Sequence, residues 1–384
     1  MRSVILALLL TAATPAAAFE ATGNVVADAL LGALERGGYQ NLAAQSVDRS
    51  GSAIVIEGVT GTGPGTVEGA TTDMTIDTIT ISSGIVDADN TLIADRVVYS
   101  GTRLTEAGTD STSSVDTLTV DGLRLTSDST TSGLMALLGS FDTLSVSGIS
   151  AAAPEGRSII VDAISATVDE RDVTEATSGS LSVTGLRFDT AMWTEPARSQ
   201  IQSLGYDTLD IDLSAAGRWE ADGGRTTIRD LTLSAADFGK LSLKATVSGL
   251  TGPLMQSLQA SAGDFAVLVA ALQNVVVYDL SLSYLDEGFA DRLVDQTVTR
   301  NNVPREALVE QLVGMLPTLL EPIGDPALLA ATSEATRSFL TDPKRITLSI
   351  TPDTPPTVAQ ILAAGLMGPQ ALPRLLNLEI HAGE

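Results

Sequence analysis

The sequence predicts an α+β fold dominated by β-structure: an extended, curved antiparallel sheet of repeated hairpins with a helical C-terminal region packed on it. Three observations carry this. Between Asp77 and about Leu233 short segments recur in which apolar side chains alternate with Thr, Ser or Asp, the period of two that puts them on one face of a strand. From about Gly252 the apolar spacing lengthens to helical steps. The chain has 384 residues, 44% of them hydrophobic, enough for about two domains with a sizeable core.

Residues 1–18 read as a cleavable export signal. Arg2 supplies a positive start, Val4 to Leu10 an apolar core, and Ala16-Ala17-Ala18 a cleavage site before Phe19. The junction has no Cys to carry a lipid anchor, and no later run approaches the ~20 apolar residues of a spanning helix. The expectation is a periplasmic protein, with an extracellular one as the alternative, divided into residues 19–251 and 252–384. With 22 basic against 47 acidic side chains and no basic cluster, the chain is repelled by nucleic acid and by anionic membranes.

Asn24 to Arg36 carries Val25, Ala29, Leu30 and Leu34 at helical spacing and stops at Gly37-Gly38. Gly61-Thr-Gly-Pro-Gly reads as a hairpin loop. The repeat then begins. Asp77-Thr-Ile-Thr-Ile, Asp116-Thr-Leu-Thr-Val, Asp142-Thr-Leu-Ser-Val and Asp207-Thr-Leu-Asp-Ile share one form, and looser copies start at Asp95, Asp162, Gly179 and Arg229. A unit of about twenty residues fits two strands and two turns of usual length, an antiparallel meander, or one coil of a parallel β-helix. Uneven spacing, and alternation between the copies as in Ser158-Ile-Ile-Val-Asp, favour the meander. The repeated Asp is expected to be a turn residue entering each strand, and the glycines closing many copies (Gly84, Gly122, Gly148, Gly185) to let the backbone bend.

Ser132 to Gly139 reads as a helical cap between repeats, and residues 195–204 as a short helix with Pro196 in its first turn and Gly205 as its stop. Strands follow at Tyr206–Ser214, Arg225–Ser234 and Lys240–Ser248, the first two joined by a turn at Glu220-Ala-Asp-Gly-Gly. Val275 to Tyr284 is a further strand. Pro304 precedes an amphipathic face of Leu308, Leu312, Met315, Leu316 and Leu319. Asp325-Pro326 caps a helix that turns Leu328, Leu329, Thr332, Ala335 and Phe339 inward and ends at Asp342-Pro343. A strand at Arg345–Thr351, a helix at Thr357–Ala364 and a strand at Leu375–His381 complete the chain, the two strands returning to the main sheet.

Alternating stretches such as Leu231-Thr-Leu-Ser-Ala-Ala-Asp-Phe-Gly-Lys-Leu-Ser-Leu, following an export signal, resemble the AsmA-like group of exported bacterial proteins with extended β-grooves. The tail Phe339-Leu-Thr-Asp-Pro-Lys-Arg-Ile-Thr-Leu-Ser-Ile-Thr-Pro resembles uncharacterised periplasmic proteins of proteobacteria. The likeness covers about residues 75–384 in texture. It implies a protein that holds or moves lipids; without a transmembrane anchor this chain departs from membrane bridging, and no functional residue carries over.

Catalytic chemistry is sparse. The chain has no Cys, and its single histidine, His381, excludes His-dependent triads and multi-His zinc sites. No nucleophile elbow, S-x-x-K dyad or Walker loop occurs. Ser242 with Lys240 or Lys244 shares a strand face, an arrangement that alternation alone produces. Asp87-Ala-Asp-Asn and Asp210-Ile-Asp lack a calcium-loop frame and read as turn and strand-edge residues. Aromatics, at 4%, are few for sugar platforms, and Trp193 and Trp219 read as packing residues. No catalytic, cofactor-binding or metal-binding residue is assigned and no cofactor is expected. The expected function is non-catalytic binding of an apolar, lipid-like ligand or an envelope partner; the alternatives are a structural or protein-interaction module and a secreted hydrolase.

Overall fold

The structure, a computed structural model, describes residues 19–65, 70–109, 111–127, 137–152, 158–172, 176–254 and 265–383. The proposed signal at 1–18 and most of the proposed cap at 132–139 fall outside them. The chain forms one large antiparallel sheet of sixteen strands with helices concentrated in the C-terminal region. The strands are β1 (Gln40–Ala43), β2 (Ser46–Ser50), β3 (Ala53–Pro64), β4 (Thr71–Ser82), β5 (Ile85–Val86), β6 (Leu92–Glu106), β7 (Thr112–Leu125), β8 (Thr143–Ala152), β9 (Ser158–Asp172), β10 (Ala176–Asp189), β11 (Thr208–Glu220), β12 (Arg225–Ala235), β13 (Gly239–Ser248), β14 (Val276–Asp286), β15 (Arg345–Ile350) and β16 (Leu378–Gly383). Sequence neighbours pair throughout, except that β1 and β2 both pair with β3, and β5 is a side pair on β6, leaving β4 against β6. The meander is therefore observed and the β-helix is not. Two units divide the chain: residues 1–168 with 182–202 and 207–210, and residues 169–181 with 203–206 and 211–384.

In the first unit the core forms where the predicted N-terminal helix, α1 (Val25–Arg36), lies on the sheet. Asn24 caps it, its side chain accepting from the amides of Val26 and Ala27 at 3.1 and 3.3 Å. Leu30, Leu31 and Leu34 are buried against Ile56, Ile76, Ile79, Ile81, Val97, Tyr99 and Leu123. Each fully buried side chain of this size contributes about 1.5–3 kcal/mol. Gly61 and Gly63 belong to β3, not to a hairpin loop, because Leu42 and Tyr39 lie where their side chains would stand. A short helix, α2 (Ala197–Ser203), follows β10 as expected.

The repeat differs from expectation in a physically informative way. One copy occupies one strand, not a pair, because the strands here run to 15 residues instead of the usual five or six. Asp77, Asp95, Asp116 and Asp162 sit inside strands; only Asp142 and Asp207 precede theirs. Pairing registers place Gly58, Asp77, Gly101, Asp116, Gly148 and Asp162 on one line across β3, β4, β6, β7, β8 and β9. Gly58, Gly101 and Gly148 have φ of +60° to +64°, as does Gly185 of β10 at +61°. A side chain on Gly101, Gly148 or Gly185 would overlap the carboxylate of Asp77, Asp116 or Asp162 respectively. At this line the alternation skips one residue: the inward side chains of β4 are Met74, Ile76, then Ile79 and Ile81. Arg103 bonds Asp77 at 3.0 Å, and Arg187 bonds Asp162 at 2.5 Å. Asp77, Asp116 and Asp162 are thus the partners of left-handed glycines on the following strand, and Asp142 is the partner of Gly122 on the preceding one.

The second unit contains β11 from Ile211 on, β12–β16 and the helices α3 (Phe265–Leu272), α4 (Phe289–Asn301), α5 (Arg305–Leu320), α6 (Pro326–Thr341), α7 (Val358–Met367) and α8 (Leu372–Leu376). The Glu220–Gly224 turn, the Asp325 cap with Pro326 at the first position of α6, and the return of β15 and β16 to the sheet are as the sequence predicts. Residues 372–376 are helical, so the last strand begins at Leu378, not Leu375. Arg305 ties three helices: its guanidinium donates to Asp291 of α4 at 2.7 Å and to the Leu340 carbonyl of α6 at 3.0 and 3.1 Å. Arg337 of α6 bonds Glu310 of α5 at 2.8 Å. The predicted apolar face of α5 is only in part a core face. Leu308, Val309 and Val313 are buried, whereas Leu312, Met315 and Leu319 are exposed. No described helix is long and apolar enough to cross a membrane.

Candidate functional site

The strands of the second unit sort their side chains into two contrasting faces. Directly paired residues share a face, so the registers define transverse rows. One row is Leu213, Leu233, Leu241, Tyr284, Ile346 and Ala382; the next is Ala215, Leu231, Leu243, Leu282, Leu348 and Ile380. A third contains Ile228, Ala245, Leu280, Ile350 and Leu378. The register shift between Ile228 and Leu231 keeps both on this leucine face, although three residues separate them. The opposite face carries Ser214, Thr232, Ser242, Ser283, Thr347 and His381 in one row.

The helices cover the leucine face unevenly. At β14–β16 it meets α6, whose Phe339 ring stands 6.1 Å from that of Tyr284. On β12 and β13 the described residues leave open the row next to the connecting turn: Leu233 and Leu241 are 42% and 43% exposed, whereas Leu231 and Leu243 are half-buried and Ala245 is buried. One end of this stretch is closed by aromatic rings. Tyr206, Phe238 and Phe289 cluster with centroids 4.0 to 6.5 Å apart. Arg292 lies 4.8 Å over the Tyr206 ring, and the Tyr206 hydroxyl donates to the Asp237 carbonyl at 2.6 Å. The Tyr284 hydroxyl donates to the Phe238 carbonyl at 2.9 Å and to Asp286 at 2.8 Å; burial, then that carboxylate, pushes its pKa up, so it stays protonated. The far end is marked by Trp219, Thr226 and Val247, where the Trp219 indole donates to the Leu250 carbonyl at 2.7 Å. Such a face can hold acyl or other apolar surface.

The residues weighed for chemistry fall elsewhere. Ser242 is on the polar face with its hydroxyl 3.1 Å from that of Thr232, and Lys240 and Lys244 beside it are exposed. Hydroxyl donation from Thr232 and Ser214 holds the Asp230 carboxyl below its usual range, and the two lysines reinforce this. Asp87 accepts from the amides of Asp89 and Thr91 within its own turn, each at 2.9 Å. Asp210 and Asp212 lie in β11. His381 is exposed, 3.4 Å from Glu379. Trp193 packs 6.2 Å from Phe188. No group of three or more His, Asp or Glu able to hold a metal occurs among the described residues. A cleft of about 470 Å³ beside α1 is lined by Val25, Asp28, Arg36 and Leu92. Another of about 860 Å³ lies beside Asp325 and Arg374, but the Asp325 carboxylate is already used in capping α6.

Sequence reasoning found the alternating leucines but not their exposure. A family model described as "Uncharacterized protein" matches residues 232–383, the stretch from β12 to β16 that carries most of the leucine face and all the helices from α3 on. No curated protein matches the chain.

Proposed function

We propose that this is a non-catalytic periplasmic protein that holds an apolar, lipid-like ligand against the leucine face of β11–β13. The observation that carries the reading is the exposure of the paired Leu233 and Leu241 beside the β12–β13 turn, on a face whose neighbouring part is covered by α6. Removing this surface from water supplies the driving force, at about 25 cal/mol per Å². The polar reverse face and the aromatic cluster at one end give the ligand one side to bind and one end to stop at. The test is mass spectrometry of an organic extract of protein purified from the periplasm without detergent. A stoichiometric lipid, absent from a control protein and lost from the folded double variant Leu233→Glu, Leu241→Glu, is the expected result. A clean extract from folded, monodisperse protein overturns the reading.

A second reading, a protein-interaction module, is favoured by α5. Its exposed Leu312, Met315 and Leu319 form a stripe bordered by Glu310, Gln311 and Glu321, the mixture of apolar centre and polar rim found at protein interfaces. Crosslinking from photoreactive residues at 312 and 315 captures a discrete envelope protein if this reading holds.

A further inference from the structure

Helix α7 has the sequence Val-Ala-Gln-Ile-Leu-Ala-Ala-Gly-Leu-Met, with no charged residue and no residue fully buried. Its one polar side chain is spent locally: the Gln360 carbonyl accepts from the Thr357 amide at 2.8 Å, while the Thr357 hydroxyl accepts from the Gln360 amide at 3.2 Å. Solvent therefore meets Leu362, Ala363, Leu366 and Met367, and the last two large side chains project almost freely, 86% and 89% exposed. The helix is not a loose appendage. Val358 donates to the Val275 carbonyl at 2.8 Å, Ala359 to the Gln273 carbonyl at 3.0 Å, and Val277 of β14 donates to the Pro356 carbonyl at 2.9 Å. Val277 pairs with Val247, so α7 is fixed at the end of the leucine face away from the aromatic cluster.

We propose that α7 is a docking helix for an uncharged, zwitterionic lipid surface, at which the leucine face exchanges its ligand; this rests on the reading of that face as a ligand site. Charge selects the occupant. A protein partner is recognised through polar and charged groups at the rim of its site, and the exposed side of α7 carries no charge and only Gln360 as a polar group, in contrast to the stripe on α5. A chain with formal net charge −25 is repelled by anionic lipid, which leaves a bilayer without net charge. Projecting Leu and Met side chains need a fluid medium rather than a complementary pocket, and the interfacial region of a bilayer is one.

The test is flotation of the full exported protein with phosphatidylcholine vesicles, beside the double variant Leu366→Glu, Met367→Glu. Both positions are exposed, so the variant retains the fold, checked by circular dichroism and gel filtration. Flotation of the wild type, reduced about tenfold or more in the variant (the equivalent of 1.4 kcal/mol or more), is the expected result. Absence of flotation, equal flotation of both proteins, or a concentration-dependent dimer that the variant abolishes overturns the proposal. The two readings fail separately. Lipid-loaded protein that does not float removes the role of α7 and keeps the leucine face, whereas floating protein whose extract is empty removes the ligand site.

Discussion

The sheet of the first unit and that of the second carry the same alternation of aliphatic and small polar residues, yet they treat it differently. Under α1 the strand residues Ile56, Ile79, Ile81 and Val97 have no exposure at all, and the helix matches them with Leu30, Leu31 and Leu34. On β12 and β13 the leucines are equally regular, but the described helices that follow gather at β14–β16, leaving Leu231 and Leu243 half-buried and Leu233 and Leu241 exposed. An apolar strand face is thus a demand for cover and not a sign that cover is present. What decides between core and surface is where the next amphipathic helix goes.

The largest effect that tests this contrast is a matched pair of truncations. Leu30→Ala is expected to destabilise by about 2–5 kcal/mol, the range for a filled core position, whereas Leu241→Ala costs well under half of that because little packing is lost. Urea titration of both variants measures the difference, and equal losses would mean that β13 is covered. Gly101→Ala comes next. Holding an alanine in the left-handed region costs about 1–2 kcal/mol, and the overlap with Asp77 adds to it. The double variant with Asp77→Ala is expected to recover the overlap but not the backbone cost. Tyr99→Phe should act in the opposite direction. The Tyr99 hydroxyl is buried without a hydrogen-bond partner, and burial drives its pKa upward; removing it should stabilise the first unit by about 1 kcal/mol, read as a rise in unfolding midpoint.

The smallest effect is electrostatic. Arg96 bonds Asp121 at 2.5 Å and holds that carboxyl below its usual pKa. A carboxyl depressed in the folded state adds stability above its unfolded pKa, and this is lost as pH falls through the folded value. Asp121→Asn should therefore lower the midpoint slightly at neutral pH and leave it unchanged in acid below the carboxylate range. Both groups are partly exposed, so the effect stays under about 1 kcal/mol.

Much of the fold was legible because it rests on local pattern. The α1 cap at Asn24, the Asp325-Pro326 start of α6 and the antiparallel strands all follow from residue type and spacing. What escaped is non-local. The repeated Asp has turn chemistry in isolation; only the register across β4 and β6 shows Asp77 lying over Gly101. The 3- and 4-residue spacing of Leu312, Met315 and Leu319 announces a helix face but carries no information about a neighbour, and none of the described residues buries it. The candidate site was half visible for the same reason: leucine alternation is written in the chain, while exposure is a property of what the other helices do.

The line of glycines and aspartates across the first unit also constrains how such a sheet can change in length. Gly on β3, Asp on β4, Gly on β6, Asp on β7, Gly on β8 and Asp on β9 make the strands two alternating kinds. Losing or duplicating a single interior strand would set two carboxylates side by side, or leave two left-handed glycines with nothing to fill the gap between them. The tolerated step is a pair of strands, about forty residues by the spacing of the repeat, so descent within such proteins should preserve parity even where it does not preserve length.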